Sequence, residues 1–392
     1  MFRKCEPLKS YINKNKFSII VLGIAFLLFL GFKLWINESA ITDTQGADEY
    51  AEYETGKVLS ILSDNTVSDE ASDGAFRGEQ LMLVEVTSGQ YKGETLQVYN
   101  YVGPLYGVPL EEGDGAALII STFNDGTHNA TVYEYNRETA IIIVIALFIL
   151  ATILVGGKTG AKSLIGLIIT IACLFLILIP LLLKGFPTLL SVFITCAFVT
   201  IVSFSILGGV QKKTICAALA TICGIAISLV FALAAQSLSK INGLRVSDVE
   251  PLLQLRQTGT PIGLKNLLTG GIVISSLGAV MDVAMSIASS MSEIHEVDSG
   301  LSSKKLFKSG MNIGRDMVGT MTNTLILAFL GSSFVLVIYL YSIGLQPHQL
   351  FSSSYLAIEI ISGISSSIGV ILSVPITALI SSMIIANKKT DS

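Results

Sequence analysis

Eight apolar runs divide the chain, and most are close to the ~20 residues that a helix needs to cross a bilayer. They cover residues 17–36, 139–155, 164–183, 188–207, 215–238, 264–290, 317–341 and 355–385. The second run is short, and the last ones are long enough to tilt or bend. The pattern predicts a polytopic α-helical membrane protein with about eight transmembrane helices.

The first run could be a cleaved signal peptide or a retained anchor. It follows a basic N-terminus, contains the bulky Trp35, and lacks a small-residue cleavage pattern behind it. These features favour retention. We therefore expect residues 1–36 to form a cytoplasmic N-terminus and a membrane anchor helix.

Residues 37–138 form a polar region between the first two runs. Alternating apolar and polar positions predict strands at residues 56–62, 80–88, 95–102, 116–123 and 130–135. The acidic, Ser/Asp-rich residues 42–54 and 63–78 are expected to be linker or loop. Asn124, Asp125 and Gly126 predict a hairpin turn. Several short strands in so small a region predict a β-rich domain, either an OB-like barrel or a sandwich.

Composition supports the membrane assignment. The chain is 51% hydrophobic and only 14% charged, whereas soluble proteins carry about 25% charged residues. Nineteen of the 29 acidic residues lie between Glu38 and Glu138, and nothing resembles a nucleic-acid-binding surface.

Basic residues in the short loops set the expected orientation. One side of the membrane would hold the basic N-terminus together with Lys158, Lys162, Lys212, Lys213, Lys304, Lys305, Lys308, Arg315, Lys388 and Lys389. Both termini are therefore predicted to be cytoplasmic, and residues 37–138 extracytoplasmic.

Ionisable side chains lie within or directly beside the sixth and seventh runs. Asp282 belongs to a polar stripe at helical spacing, whose members are Ser275, Gly278, Asp282, Ser286, Ser289 and Glu293. Arg315 and Asp316 directly precede the next run, and Asn323 lies within it. A charge near the bilayer centre costs about 2.5–3.5 kcal/mol, so these residues predict a substrate- or ion-binding site. Asp282, expected near the inner end of its span, would lie level with Arg315 and could form an ion pair with it. Such a pair could equally act as a lock between helices.

The last run adds one further acid and a row of small residues. Glu359 lies near its outer end, followed by Gly363, Ser366, Ser373 and Thr377, with Pro375 able to kink the helix. Glu359, Asn323 and the two aspartates would form a graded polar path through the bundle. Close helix packing explains the small residues equally well.

Catalytic and metal-binding motifs are absent from the sequence. His128, His295 and His348 are isolated, and there is neither a His-Glu-x-x-His pair nor a Gly-x-Ser-x-Gly elbow. Residues 156–163 approach a phosphate-binding loop, but Ala161 stands where glycine is needed. We predict a tight inner turn there, and neither enzymatic activity, cofactor nor metal.

Three segments carry a resemblance to a known family. Residues 156–180, 277–284 and 314–325 resemble the YibE/F family of bacterial multi-pass membrane proteins. The resemblance covers residues 139–392, as a seven-helix membrane domain, and the anchor with the outer domain resembles the longer members. It implies a bacterial plasma-membrane location and a shorter YibE/F-like partner subunit, but it supplies no substrate.

Two functions remain open at this point. The first is a secondary transporter or permease component for a small solute or ion, which uses Asp282, Arg315, Asp316, Asn323 and Glu359. The second is a non-transporting membrane scaffold or sensor, whose outer domain binds a partner or an envelope component.

Overall fold

The computed structural model describes residues 51–122, 128–241, 249–257 and 259–386. The predicted anchor at 17–36, the turn at residues 124–126 and the lysines at 388 and 389 lie outside these ranges. The described residues divide into two compact units, one within residues 51–155 and the other within residues 156–386.

Six strands make up most of the first unit. Their bounds are β1 Ala51–Asp64, β2 Val67–Asp69, β3 Ala75–Val86, β4 Thr95–Val102, β5 Gly115–Thr122 and β6 His128–Tyr135. All five predicted strands are confirmed. The prediction of a loop at residues 63–78 is wrong, because the segment contains the end of β1, all of β2, a 3-10 turn at Glu70–Ser72 and the start of β3. Residues 51–54, expected in a linker, also belong to β1.

The strands close into a barrel. The sheet order is β1-β5-β6-β4-β3-β2, and an additional β1–β3 pairing joins its ends. β4 and β6 run parallel, whereas the other pairs are antiparallel. Without the short β2, the five long strands follow one another around the barrel in the order β1, β3, β4, β6, β5. Numbered along the chain this is the order 1-2-3-5-4, which matches the OB-like alternative. Inward side chains such as Met82, Val84 and Leu118 are fully buried.

The carboxylate at the end of β1 makes barrel stability depend on pH. Asp64 accepts hydrogen bonds from the hydroxyl and backbone N–H of Thr66, at 2.7 and 2.8 Å, and from the Gln80 amide at 3.0 Å. These bonds, that of the Thr66 hydroxyl foremost, hold the pKa of Asp64 below its usual 3.8. A lowered folded-state pKa stabilises the fold above the unfolded-state pKa, and the stabilisation is lost as pH falls through the folded value.

We therefore expect Asp64→Asn to flatten the acid side of the stability curve. As pH falls below the usual carboxyl pKa of about 4, the wild-type barrel loses the Asp64 contribution, whereas the variant has none to lose. Hydrogen exchange of β1 and β3 across this pH range measures the difference. Glu94→Gln, in the exposed β3–β4 turn, is the control, and identical acid profiles for Asp64→Asn and wild type would contradict the prediction.

Ten α-helices follow the barrel in the described residues. Their bounds are α1 Glu138–Cys173, α2 Ile179–Leu183, α3 Thr188–Gly208, α4 Lys212–Ser239, α5 Glu250–Gln257, α6 Leu267–Val297, α7 Ser303–Ser332, α8 Phe334–Ser342, α9 Pro347–Ser352 and α10 Ser354–Ala386. Five stretches are long and apolar enough to cross a membrane, and α7 with α8, bent by 62°, makes a sixth if the pair counts as one span. These helices support a membrane protein, whereas the predicted count of eight is not reached in the described residues.

The second and third predicted spans are consecutive helical segments that are separated by a kink at Gly157. Glu138–Leu183 runs for 46 residues, with a π-helical turn at Leu174–Leu178. A turn was expected at residues 156–163, but only Gly157 is non-helical there. Its φ of 54° and ψ of −132° break the helix at one residue. At about 1.5 Å per residue, 46 residues are about twice the length that one span requires.

The loop after α4 holds a further helix. This helix is α5, at Glu250–Gln257.

α10 lies at the centre of the second unit, where it packs against α4, α6 and α7. α6 also packs against α3 and α4. The shared core contains the fully buried Val280, Ala284, Ile287, Met291 and Val370.

Candidate functional site

The polar stripe of α6 is the exposed face of that helix. Ser275, Gly278, Asp282, Ser286 and Glu293 are exposed, and Ser289 is half-buried. The opposite face carries the buried aliphatic side chains that contact α4 and α10. The helical spacing in the sequence therefore identified the surface correctly.

Asp282 lies deeper along its helix than expected. It stands at the midpoint of Leu267–Val297, whereas the sequence placed it near the inner end of a span that ended at residue 290. The difference arises because α6 continues through Met291, which is buried in the core, up to Val297.

α7 brings Arg315, Asp316 and Asn323 to its own exposed face. Its other face begins with two buried glycines, Gly310 and Gly314. A methyl group at Gly310 would meet Met291 of α6 and Ala378 of α10, and one at Gly314 would meet Ile287 and Val374 of the same two helices. The small-xxx-small spacing lets α7 approach both neighbours closely, which fixes the directions of its polar side chains.

The same contacts set the register between α6 and α7. Gly314 lies opposite Ile287 and Gly310 opposite Met291, so Arg315 is level with Ser286. Asp282 is then one helical turn away from Arg315, about 6 Å along the axis. The ion pairs within the described ranges are Arg77–Asp69 and Arg137–Glu134. The predicted Arg315–Asp282 pair is therefore not formed.

Glu359 is half-buried on α10, one turn before Gly363, which packs against Phe329 of α7. Throughout the described part of the chain, Asp282, Arg315, Asp316, Asn323 and Glu359 make no hydrogen bond or ion pair with one another. The structure thus places four of the five on the exposed faces of two neighbouring helices, and the fifth on the helix behind them.

Close packing explains the small-residue row of α10. Gly363, Ser366, Ser373 and Thr377 are all buried. The Ser366 hydroxyl lies 3.5 Å from the Ile272 carbonyl and from the Ser275 hydroxyl of α6. Thr377 donates to the Ser373 carbonyl one turn back at 2.6 Å. These residues hold α10 close to its neighbours, as in many membrane helix pairs.

Nine buried side-chain N and O atoms have no hydrogen-bond partner among the described residues. They include the hydroxyls of Thr322 on α7 and Ser365 on α10, which the sequence analysis did not single out. Buried hydroxyls are normally paired, so these two remain available to a ligand or a water molecule. Thr322 adjoins Asn323 in the sequence, but a lone threonine in an apolar segment gives no signal by itself.

The cysteines in the described residues carry free thiols. Cys173, Cys196 and Cys216 are buried and Cys223 is exposed. No group of three metal-ligating side chains occurs within the ranges that the structure covers.

The sequence profile of the YibE/F-like protein family matches residues 144–387. The chain belongs to this family. No curated protein and no solved structure matches the chain. The match to the YibE/F family confirms the resemblance carried by residues 156–180, 277–284 and 314–325. It includes the polar faces of α6 and α7, and it leaves the barrel outside.

Proposed function

We propose that this YibE/F-like protein is a secondary transporter, or a permease component, for a small solute or ion. Asp282 and Asp316 act as its ionisable binding or coupling groups. Arg315 is their charge partner when substrate is bound, Asn323 is a neutral ligand one to two turns deeper, and Glu359 lies toward the outer side. The observation that carries the proposal is the unpaired, exposed state of Asp282 and Arg315 on two apolar helices.

The free-energy cost of an unpaired charge on a membrane helix favours a binding site over an ion pair that only holds two helices together. A lock between α6 and α7 requires Asp282 and Arg315 to contact each other, and within the described residues they do not. The two helices are joined by glycine packing instead. An unpaired charge on a membrane helix costs about 2.5–3.5 kcal/mol. Water, an ion or a polar solute beside this face would offset that cost.

The proposal includes a topology. The anchor at residues 17–36 and the two halves of Glu138–Leu183, separated at Gly157, bring the number of spans to eight. Both termini are cytoplasmic in a bacterial plasma membrane, and the barrel is extracytoplasmic, as the distribution of basic residues supports.

A shorter YibE/F-like subunit is the partner that we propose. The exposed α6 face has open space at Gly271 and Gly278, where an added Cβ would meet nothing within 4 Å. Small residues on an open face allow a second membrane helix to approach closely.

The test measures proton movement in vesicles. Purified protein is reconstituted into liposomes that contain a pH-sensitive dye, and a small-molecule extract of bacterial cells is added outside. We expect wild-type vesicles to respond and Asp282→Asn to respond at least tenfold less, which corresponds to a loss of about 1.4 kcal/mol of ligand interaction.

Glu296→Gln provides the matched control, because Glu296 is an exposed acid at the end of the same helix. It should respond like the wild type. Equal responses from Asp282→Asn and wild type would refute the transport proposal. A loss of protein assembly after Asp282→Asn or Arg315→Gln, without a specific loss of flux, would instead favour the scaffold or sensor.

A further inference from the structure

Four exposed tyrosines occupy one side of the β-barrel. Tyr53 of β1, Tyr99 and Tyr101 of β4, and Tyr133 of β6 are 65%, 40%, 52% and 58% exposed. We call this surface the tyrosine face. The sequence reading passed over it, although Tyr99 and Tyr101 stand at alternate positions of a predicted strand. The face lies outside the region that the family profile matches.

Strand pairing makes the tyrosine face continuous. Tyr53 pairs with Ile119, Ile119 with Thr131, Thr131 with Tyr99, and Tyr99 with Leu81, so one row crosses five strands. These side chains point outward, because their neighbours along each strand, such as Val98 and Leu118, fill the core. Five strands at about 4.8 Å spacing give a row nearly 20 Å long.

The rings form two pairs, and each pair has one ring in this row. Tyr99 and Tyr101 lie nearly parallel, with their planes 11° apart and their centroids 6.2 Å apart. Tyr53 and Tyr133 meet edge to face at 5.5 Å across β5. Exposed aromatic rings held against each other lose little further side-chain freedom when a ligand covers them.

The face carries no charge along two adjacent rows. The row described above contains only tyrosine, threonine and aliphatic residues. Its neighbour contains Ala51, Ser121 and Asn129, with Gln97 and Leu83 on β4 and β3. Two acids border the face on the side of Tyr101 and Tyr133, because Glu79 pairs with Tyr101 and Glu134 follows Tyr133. The two uncharged rows still contrast with the acidic composition of residues 38–138.

We propose that the tyrosine face binds an uncharged glycan chain. Sugar rings present apolar C–H faces that stack on tyrosine, and their hydroxyls bond to the amides of Gln97 and Asn129 and to the hydroxyl of Thr131. OB-type barrels offer the face of their second and third strands to oligosaccharides. Those strands correspond here to β3 and β4.

The same observations oppose other ligand classes. Single-stranded nucleic acids need a positively charged groove beside the aromatic rings, and this face carries no basic residue. A peptide that adds as a strand needs a free sheet edge, whereas β1, β5, β6, β4 and β3 close on one another. The inference does not depend on transport by the membrane unit.

Binding is tested on the full chain in detergent. The protein is mixed with insoluble chitin and with cellulose, and the fraction depleted from solution is measured over a range of polymer amounts. We expect the wild type to bind at least one of the two neutral glycans. The Tyr99→Ala/Tyr101→Ala pair should bind at least tenfold more weakly, whereas Tyr99→Phe/Tyr101→Phe, which keeps both rings, should retain most binding.

Tyr106→Ala is the matched control, since Tyr106 is 64% exposed but lies in the turn after β4, outside the face. Unfolding temperatures measured alongside show that the variants are folded. The proposal is overturned if the wild type binds neither polymer, or if the alanine pair binds as well as the wild type. It is also overturned if the phenylalanine pair loses as much binding as the alanine pair. Retention of the protein on heparin beads in preference to the neutral glycans would overturn it as well.

Discussion

Replacing Gly369 with leucine is expected to destabilise the membrane unit by more than about 3 kcal/mol. Gly369 of α10 lies where α10 crosses α4, and a Cβ there would stand 2.8 Å from the Ser228 Cβ and 3.2 Å from the Gly224 carbonyl. Overpacking in a core costs about 1–3 kcal/mol where side chains can move aside. Here one neighbour is backbone, so the two helices must separate.

Gly278→Leu is the matched control for this crossing. Gly278 is also a helical glycine, but an added Cβ there meets nothing within 4 Å in the described residues. Unfolding temperature and monodispersity in detergent should fall sharply for Gly369→Leu and remain close to wild type for Gly278→Leu. Similar losses in both variants would show that leucine itself, rather than the α4–α10 contact, is responsible.

The barrel was largely predictable because its strands alternate between core and solvent. β4 has the bounds that the sequence predicted, since Val98 and Asn100 face inward while Tyr99 and Tyr101 face outward. Residues 63–78 were missed for a physical reason. β2 pairs only with β3 and has no buried residue, so its sequence carries no alternating pattern.

The helical part was predictable in composition but not in its breaks. The apolar content of Glu138–Leu183 identifies membrane-compatible segments. It does not show whether the pair Gly156 and Gly157 forms a turn or stays helical. Gly157 alone leaves the helical conformation, and the helix resumes with Lys158 in place of the turn expected up to residue 163.

The sequence predicted which residues of the candidate site share a helix face, but it did not predict which side chains contact one another. Spacing of three and four residues identified the exposed side of α6, because most of the buried residues on the other side are aliphatic. The Asp282–Arg315 pair was wrong, because two charges at similar depth on adjacent helices need not point toward each other. The directions of these side chains depend on Gly310 and Gly314, whose packing a single sequence does not reveal.

The Gln80→Leu substitution should destabilise the barrel by about 3–5 kcal/mol, because Gln80 is the centre of a hydrogen-bond network in the barrel core. The side chain is 1% exposed. Its carbonyl oxygen accepts from the Leu110 N–H and the Asn100 amide, both at 2.9 Å, and its amide donates to the Leu110 carbonyl at 3.2 Å. Leucine has a similar volume but leaves these groups unpaired, at about 1–3 kcal/mol each.

Hydrogen exchange of the β3 and β4 amides in the full chain measures the loss, with Gln97→Leu as the matched control. Gln97 is an exposed glutamine on the outer side of β4, where leucine leaves no buried group without a partner. We expect the opening free energy of β3 to fall for Gln80→Leu and to stay within about 0.5 kcal/mol of wild type for Gln97→Leu. Equal protection in both variants would contradict the prediction, because it would mean that Leu110 and Asn100 find other partners when Gln80 is replaced.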